Sequence, residues 1–429
     1  MQTALIRGIS GTFAIKVFNA GILFIIGVVL ARLLGTAQYG IYAYSLTIIT
    51  FVALPLSKGW PQLLVRQVAK YKSLAQWAFL RGLLRWIRLF GFLFSLMLII
   101  IGLSLLFIGQ TQQWLDNTFA CTLSIAMLLI GCMPFVQMNE AVIRGLGHPI
   151  PGVIMSQAVR PLLFLLLIAI SSWSLSNRFQ ATHGMTLQVC AHAGTLLLSA
   201  LLLSKFIPEE VKASLPAYEP GPWIKSGIPL MGVGGMQVIN SRIDLLLLGA
   251  LEGPTDAGIY HAVIRCAELV IFGMAVINVT FAPIVARLYT QNAMQELQKS
   301  VLQCTVGMLL FAFPVACLLI FFRHQVLSLF GPGFVEGSTA LIVLSLGQML
   351  IAGIGPVGII LNMTGHERVT ALWVGISACC NIILNIVLIP FFGLVGPSVA
   401  TTFSLLLRNV VLSRKIKQKI SLRTTLIRI

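Results

Sequence analysis

Acidic side chains are scarce in this chain. Its 429 residues include 12 Asp and Glu against 29 Lys and Arg, and no acidic residue precedes Asp116. Charged residues of both signs make up only 10%, so no segment is long and polar enough to fold as a separate soluble domain. The eight cysteines, at 121, 132, 190, 266, 304, 317, 379 and 380, form no Cys-x-x-Cys pair and accompany no histidine-rich spacing. That argues against a metal or redox motif and leaves them as small apolar packing residues. Paired carboxylates, a Ser-His-Asp set and a metal-ligand cluster are also missing, and no outer loop is large enough to hold a glycan acceptor. Neither catalysis, nor a metal, nor a cofactor is expected. No cleavage site follows the first hydrophobic stretch, so that stretch is expected to be retained rather than removed as a signal peptide.

Hydrocarbon fills the chain instead. Apolar residues make up 58% and the mean hydropathy is +0.95, the values of an integral membrane protein. A helix that crosses a bilayer needs roughly 20 mostly apolar residues. About twelve segments qualify by that measure: 11–34, 41–61, 89–109, 118–138, 152–173, 185–206, 223–250, 259–282, 301–322, 338–361, 371–390 and 395–411. The last two are so close that they also read as one broken unit. A net charge of +17 raises the question of nucleic acid, but its distribution answers it. Arg66, Lys70, Lys72, Arg81, Arg85 and Arg88 lie between the second and third spans, the next loop, 110–117, has no Lys or Arg, and the tail holds Arg414, Lys415, Lys417, Lys419, Arg423 and Arg428. This is the positive-inside alternation, which places both termini in the cytoplasm and makes the membrane lipids, not nucleic acid, the partner of the basic residues.

The chain is also duplicated. Gly35-Thr36-Ala37-Gln38-Tyr39-Gly40-Ile41-Tyr42 recurs, 218 positions on, as Gly253-Pro254-Thr255-Asp256-Ala257-Gly258-Ile259-Tyr260, and the same displacement takes Gly147-His148 onto Gly365-His366. Six spans precede Pro208 and six follow Trp223, and the segment between them holds three Glu and four Pro. The expected organisation is a six-helix lobe 1–207, a cytoplasmic linker 208–222, a second six-helix lobe 223–411 and a basic cytoplasmic tail 412–429. An even number of spans per lobe makes the repeat parallel, with a pseudo-twofold axis along the membrane normal, and repeats of this kind in a hydrophobic chain point to transport. Within each lobe the Gly-x4-Gly-Ile-Tyr motif reads as the turn between the first two spans. Its glycines permit the reversal, and its tyrosine is expected at the membrane interface.

Leu30-Ala31-Arg32-Leu33-Leu34-Gly35 through Tyr39-Gly40-Ile41-Tyr42, with Ser57-Lys58-Gly59-Trp60-Pro61 and Leu64-Val65-Arg66, resembles the opening of bacterial polysaccharide-transport flippases. The second half is similar at Arg242-Ile243-Asp244, Gly258-Ile259-Tyr260, Arg265, Glu268, Phe281-Ala282-Pro283 and Leu288-Tyr289. These are the O-antigen and exopolysaccharide repeat-unit flippases of the multidrug/oligosaccharidyl-lipid/polysaccharide exporter superfamily. The resemblance runs from about residue 8 to 412. It implies a V-shaped pair of lobes in a bacterial inner membrane that moves an undecaprenyl-pyrophosphate-linked oligosaccharide to the periplasmic leaflet by alternating access. It also implies a role in lipopolysaccharide O-antigen or other surface-polysaccharide synthesis, a polysaccharide polymerase and chain-length regulator as partners, and proton or sodium coupling.

Ionisable residues inside spans cost about 2.5–3.5 kcal/mol each on insertion scales, so each needs a reason. Lys16 and Asn19 share a face of the first span. Gln237, Asn240 and Asp244 form a stripe on the seventh, with Arg242 off it, and His261, Arg265 and Glu268 form one on the eighth. A hairpin through Gly253–Gly258 would bring Asp244 and Arg265 to similar depth. One reading is therefore a buried Asp244–Arg265 pair joining the two spans. The other is a cationic cavity in which Lys16, Asn19, Arg242 and Arg265 meet the pyrophosphate of the cargo, a task that suits the guanidinium fork. Asp244, Glu268 and His261 are then candidates for ion pairing or for a coupling ion.

Pro229, Gly232, Gly234 and Gly235 loosen the inner half of the seventh span, either as a hinge or for close helix packing. Residues 62–88 mix Trp and Leu with six basic residues, the pattern of a helix lying on the inner surface. Glu140 and Arg144 read as a local salt bridge, and Gln157 and Arg160 as a snorkelling pair. Gln188, His192, Thr195 and Ser199 on one helix, and Ser377, Asn381 and Asn385 on another, read as interhelical hydrogen bonds. The alternative function is a cation-coupled multidrug-efflux antiporter of the same superfamily, which the lack of acidic residues before Asp116 disfavours.

Overall fold

The computed structural model describes residues 2–113, 115–175, 179–420 and 422–424, and its regular structure is helical throughout, as predicted. The longer helices are α1 Gln2–Val52, α2 Trp60–Ser73, α3 Trp77–Thr111, α4 Asn117–Met127, α5 Met133–Gly145, α6 Arg160–Leu175 and α7 Ala181–Phe206. They continue as α8 Pro220–Leu251, α9 Pro254–Thr290, α10 Met294–Phe321, α11 Ser338–Ile354, α12 Glu367–Phe392 and α13 Val395–Ile420.

Straight, the 51 residues of α1 would run for about 75 Å at 1.5 Å each, more than twice the roughly 30 Å of a hydrocarbon core. Gly35 breaks it, with φ 68° and ψ 176° in the middle of the run. Gly253 does the same between α8 and α9 at φ 101°. Both conformations favour a residue without a Cβ, so the first glycine of each motif copy is a turn residue, as expected. Gly393, at φ 49°, separates α12 from α13 and resolves the last apolar stretch into two helices. Among the described residues, ten helical stretches are long and apolar enough to cross a membrane. With α1 counted as two, and with α8, whose Lys225, Arg242 and Asp244 lower its hydropathy, the spans number twelve.

By packing, the chain divides elsewhere than at the predicted 207/223 boundary. One compact unit comprises 1–26 and 41–238, the other 27–40 and 239–429, so α1 and α8 each contribute to both. In the first unit, Trp223 is fully buried and donates Nε1–H to the Tyr71 hydroxyl at 2.9 Å, within an aromatic cluster of Trp60, Trp86 and Phe90. The Pro-rich stretch before it is strapped along α3: the Ala217 amide donates to Ala78 O at 3.0 Å and Arg81 donates to Ser214 O. The predicted surface helix 62–88 is corrected to two elements. A turn at Ala75 (φ 53°) ends α2, and from Trp77 nothing stops α3 from running straight into the membrane span. The apolar residues Leu80, Leu83, Leu84 and Ile87 are buried in protein, not laid on headgroups.

In the second unit, α13 extends to Ile420, nine residues past the predicted end of its span at 411, and the basic tail begins by folding back. Gln298 holds Arg423 by both backbone groups (Nε2 to O, 2.8 Å; N to Oε1, 2.7 Å), and Thr305 donates to Thr424 O at 3.1 Å. Residue 421 and the segment 425–429, with Arg428, lie outside the described residues.

Candidate functional site

The ionisable cluster of the second unit grows out of the repeat motif. Gly253 turns the chain so that α9 runs back along α8, which sets Tyr260 opposite Asp244. Asp244, 4% exposed, accepts from the Leu245 amide (2.8 Å), the Tyr260 hydroxyl (3.0 Å) and the Thr401 hydroxyl of α13 (3.4 Å). Three donors satisfy a buried carboxylate without a cation. The predicted Asp244–Arg265 pair is therefore corrected: Arg265 Nη1 lies 3.0 Å from Glu268 Oε2, one turn along its own helix. Glu268 Oε1 also lies 3.7 Å from Arg242 Nη2. An ion pair between the seventh and eighth spans does exist, but it is Arg242–Glu268. Two guanidinium groups thus share one carboxylate, and all three side chains keep some exposure, 27%, 18% and 42% for Arg242, Arg265 and Glu268. His261 leaves the predicted stripe: its Nδ1 hydrogen-bonds the Tyr39 hydroxyl at 2.9 Å, with both residues buried.

The second glycine of each motif copy has a separate job. A Cβ on Gly258 would lie 2.6 Å from Gly40 Cα, and one on Gly40 would overlap the Pro254 carbonyl. The two copies, 218 positions apart, cross glycine against glycine inside the second unit. The motif tyrosines are not interface anchors: Tyr42 is 4% exposed and Tyr260 fully buried. Tyr260 has a buried carboxylate for its hydroxyl, which removes any need for water.

Lys16 and Asn19 belong to the first unit. Lys16 is half-buried and carries no ion pair among the described residues. Asn19 lines a cavity of about 270 Å³ with Met133, Val136, Gln137, Ser156, Gln157, Arg160 and His192. Gln157 and Arg160 thus face the same cavity, and both are partly buried. Arg160 Nη1 donates to His192 Nε2 at 3.4 Å, and His192 Nδ1 donates to its own helix at Gln188 O, 2.8 Å. The neutral ring protonated on Nδ1 satisfies both bonds. Glu140 accepts from the Ser156 amide at 2.7 Å and forms no ion pair with Arg144, correcting that expectation. The polar stripes do join helices, through Asn139 Nδ2 to Ser199 Oγ (3.1 Å), Ser377 to Ser404 O (3.0 Å) and Asn381 Nδ2 to Thr401 Oγ1 (3.1 Å), while Thr195 bonds within its own helix.

The glycines of α8 separate into two kinds. Cβ atoms on Gly234 and Gly235 would lie 2.9 Å from Lys58 Cβ and 3.1 Å from a Leu54 methyl, so these two serve close packing. Gly232 meets nothing within 4 Å, and Pro229 sits inside the continuous helix. Sequence reasoning missed Tyr39 and Thr401 as partners of the cluster. Tyr39 could have been flagged, because a tyrosine next to a close-packing glycine needs a buried partner for its hydroxyl.

Comparison with known proteins adds an independent line. The family model for polysaccharide biosynthesis proteins matches residues 5–289, and the MatE family model matches residues 229–387. The chain is 22% identical over 424 residues to the probable low-salt glycan biosynthesis flippase Agl15 of Haloferax volcanii, covering 96% of this chain and 83% of that one. The fold is similar to that of an inward-facing multidrug resistance MATE family transporter of the MOP superfamily (TM-score 0.73, 11% identity, 94% of each chain). It is equally similar to that of the lipid II flippase MurJ in an inward closed conformation (TM-score 0.73, 14% identity, 96% of this chain and 87% of that one).

Proposed function

Because the chain belongs to the polysaccharide biosynthesis protein family, we propose that it is a flippase that carries a lipid-linked oligosaccharide repeat unit across a membrane. The observation that carries this reading is the Arg242–Glu268–Arg265 cluster, in which two guanidinium groups share one carboxylate within membrane-spanning helices. An excess positive charge there favours an anionic cargo, and a guanidinium offers a phosphate two parallel donors. The Agl15 flippase and MurJ support the same class of cargo. In this reading Arg242 and Arg265 bind the pyrophosphate of an undecaprenyl-linked glycan. Transport runs from the cytoplasmic to the periplasmic leaflet of a bacterial inner membrane by alternating access of the repeats 1–207 and 223–411. The product serves O-antigen or another surface polysaccharide, and a polymerase and chain-length regulator take it onward.

The test is translocation of a fluorescent undecaprenyl-pyrophosphate oligosaccharide in vesicles reconstituted with the purified protein, read by access of an impermeant sugar-modifying enzyme. The expected result is protein-dependent translocation that drops at least tenfold in Arg242→Ala at equal protein abundance. Vesicles with and without protein behaving alike would refute the proposal. The MatE match over 229–387 favours a second reading, a cation-coupled drug antiporter in which Asp244, Glu268 or His261 carries the coupling ion. Efflux of a cationic dye driven by a sodium or proton gradient, in the same vesicles, is its distinguishing result.

A further inference from the structure

The cavity of the first unit has a polar lining that nothing in the second-unit cluster uses. We propose that it is a binding site for the hydroxyl groups of a single sugar ring. This deepens the flippase reading by naming the part of the cargo that the first unit holds, and rests on that reading only for the molecule to which the sugar is attached.

The side-chain oxygens of Asn19 and Gln157 are buried and have no hydrogen-bond partner. A buried polar atom left unpaired costs about 1–3 kcal/mol, so such atoms are rare unless something fills the space beside them. Both residues line the same cavity, and Gln137 adds a third carboxamide to it. Each carboxamide both donates and accepts, as a sugar hydroxyl does, so the two match in either orientation.

The rest of the lining argues against a small ion. A cation would face the Arg160 guanidinium, and the lining holds no carboxylate to balance it. An anion would face two unpaired acceptor oxygens beside it. An uncharged hydroxylated ligand meets neither objection. The volume, about 270 Å³, lies just below the roughly 300–1,000 Å³ typical of small-molecule sites, which suits one ring rather than an oligosaccharide. Met133 and Val136 supply apolar surface for its C–H face.

The backbone is built around this space. Residues Met155–Val159 form a π turn, a feature that is rare in helices and frequent at functional sites. The Ser156 amide within it is taken by the buried carboxylate of Glu140, which ties the turn to α5. That tie holds Gln157 and Ser156 at the cavity wall.

The experiment uses the purified full chain in lipid nanodiscs with D-glucose, N-acetyl-D-glucosamine and D-glucuronate as probes, alongside sodium chloride and inorganic phosphate. Saturation-transfer NMR is expected to show contact with the ring protons of at least one sugar. A photoreactive diazirine derivative of that sugar is expected to crosslink to peptides within 133–137 or 156–160. Dissociation constants are expected to rise at least tenfold in Gln157→Leu, and also in Val136→Phe, which fills the cavity from an apolar position. No transfer to any of the three sugars overturns the proposal, as does crosslinking elsewhere, or displacement of the sugar by phosphate or sodium at equal concentration. The crosslink locates the site in the unaltered protein, so the result stands even where a variant fails to fold. Sugar binding without translocation of lipid-linked glycan refutes the flippase reading alone, and translocation without sugar binding refutes this site alone.

Discussion

Single residues of the second-unit cluster do two separable jobs. The Asp244 carboxylate is held by three donors that need no cargo. Tyr260→Phe removes one of them from a buried acceptor, for an expected loss of about 1–3 kcal/mol, seen as a lower melting temperature in detergent with translocation per folded molecule preserved. Arg242 is the opposite case. Its 3.7 Å pair with Glu268, itself 42% exposed, contributes less than about 1 kcal/mol to stability. Arg242→Gln is therefore expected to leave the melting temperature within a degree or two while translocation falls at least tenfold. A parallel fall in both would assign Arg242 to the fold. The sequence placed all these residues on the right helices but paired them wrongly. Periodicity says which face a side chain occupies, not which of two acceptors within reach accepts its hydrogen bond.

At the scale of elements, glycine decides how closely helices approach. Gly258→Ala puts a methyl 2.6 Å from Gly40 Cα, a backbone atom that cannot move aside alone. Overpacking of this kind costs about 1–3 kcal/mol, and the expected result is poor membrane abundance, measured by fluorescence-detected size exclusion. The glycines of α8 divide the hinge hypothesis in the same way. Gly234→Ala is expected to destabilise, since its methyl meets Lys58 at 2.9 Å. Gly232→Ala meets open space, so any slowing of translocation at unchanged stability reports backbone flexibility. Unaltered rates in Gly232→Ala would remove the hinge. From sequence these positions looked alike, because a glycine's neighbours across the fold have no local signature.

For the whole molecule, the charge distribution predicts the topology. In a cysteine-free background, Gln112→Cys is expected to react with an impermeant thiol reagent from outside the cell, and Ser73→Cys only after permeabilisation. The reverse pattern would invert the chain in the membrane. The chemistry departs from the duplication: Lys16 aligns with Gly234, and Arg242, Arg265 and Glu268 align with Phe24, Thr47 and Thr50. The packing departs from it too, since residues 27–40 join the second unit and 223–238 the first.

The sequence by itself determined the membrane class, the helical architecture, the span count and the duplication. Each follows from local hydrophobicity, charge bias or self-similarity, which the chain carries in one dimension. It also marked the turn glycines, because a positive φ is a local demand. Only the tertiary structure decided that Asp244 answers to Tyr260 and Thr401, that Gly40 meets Gly258, and that Asn19, Gln157 and Arg160 surround one cavity. Those outcomes depend on which helices approach and how closely. That is set by packing many side chains at once, and no window of sequence contains it.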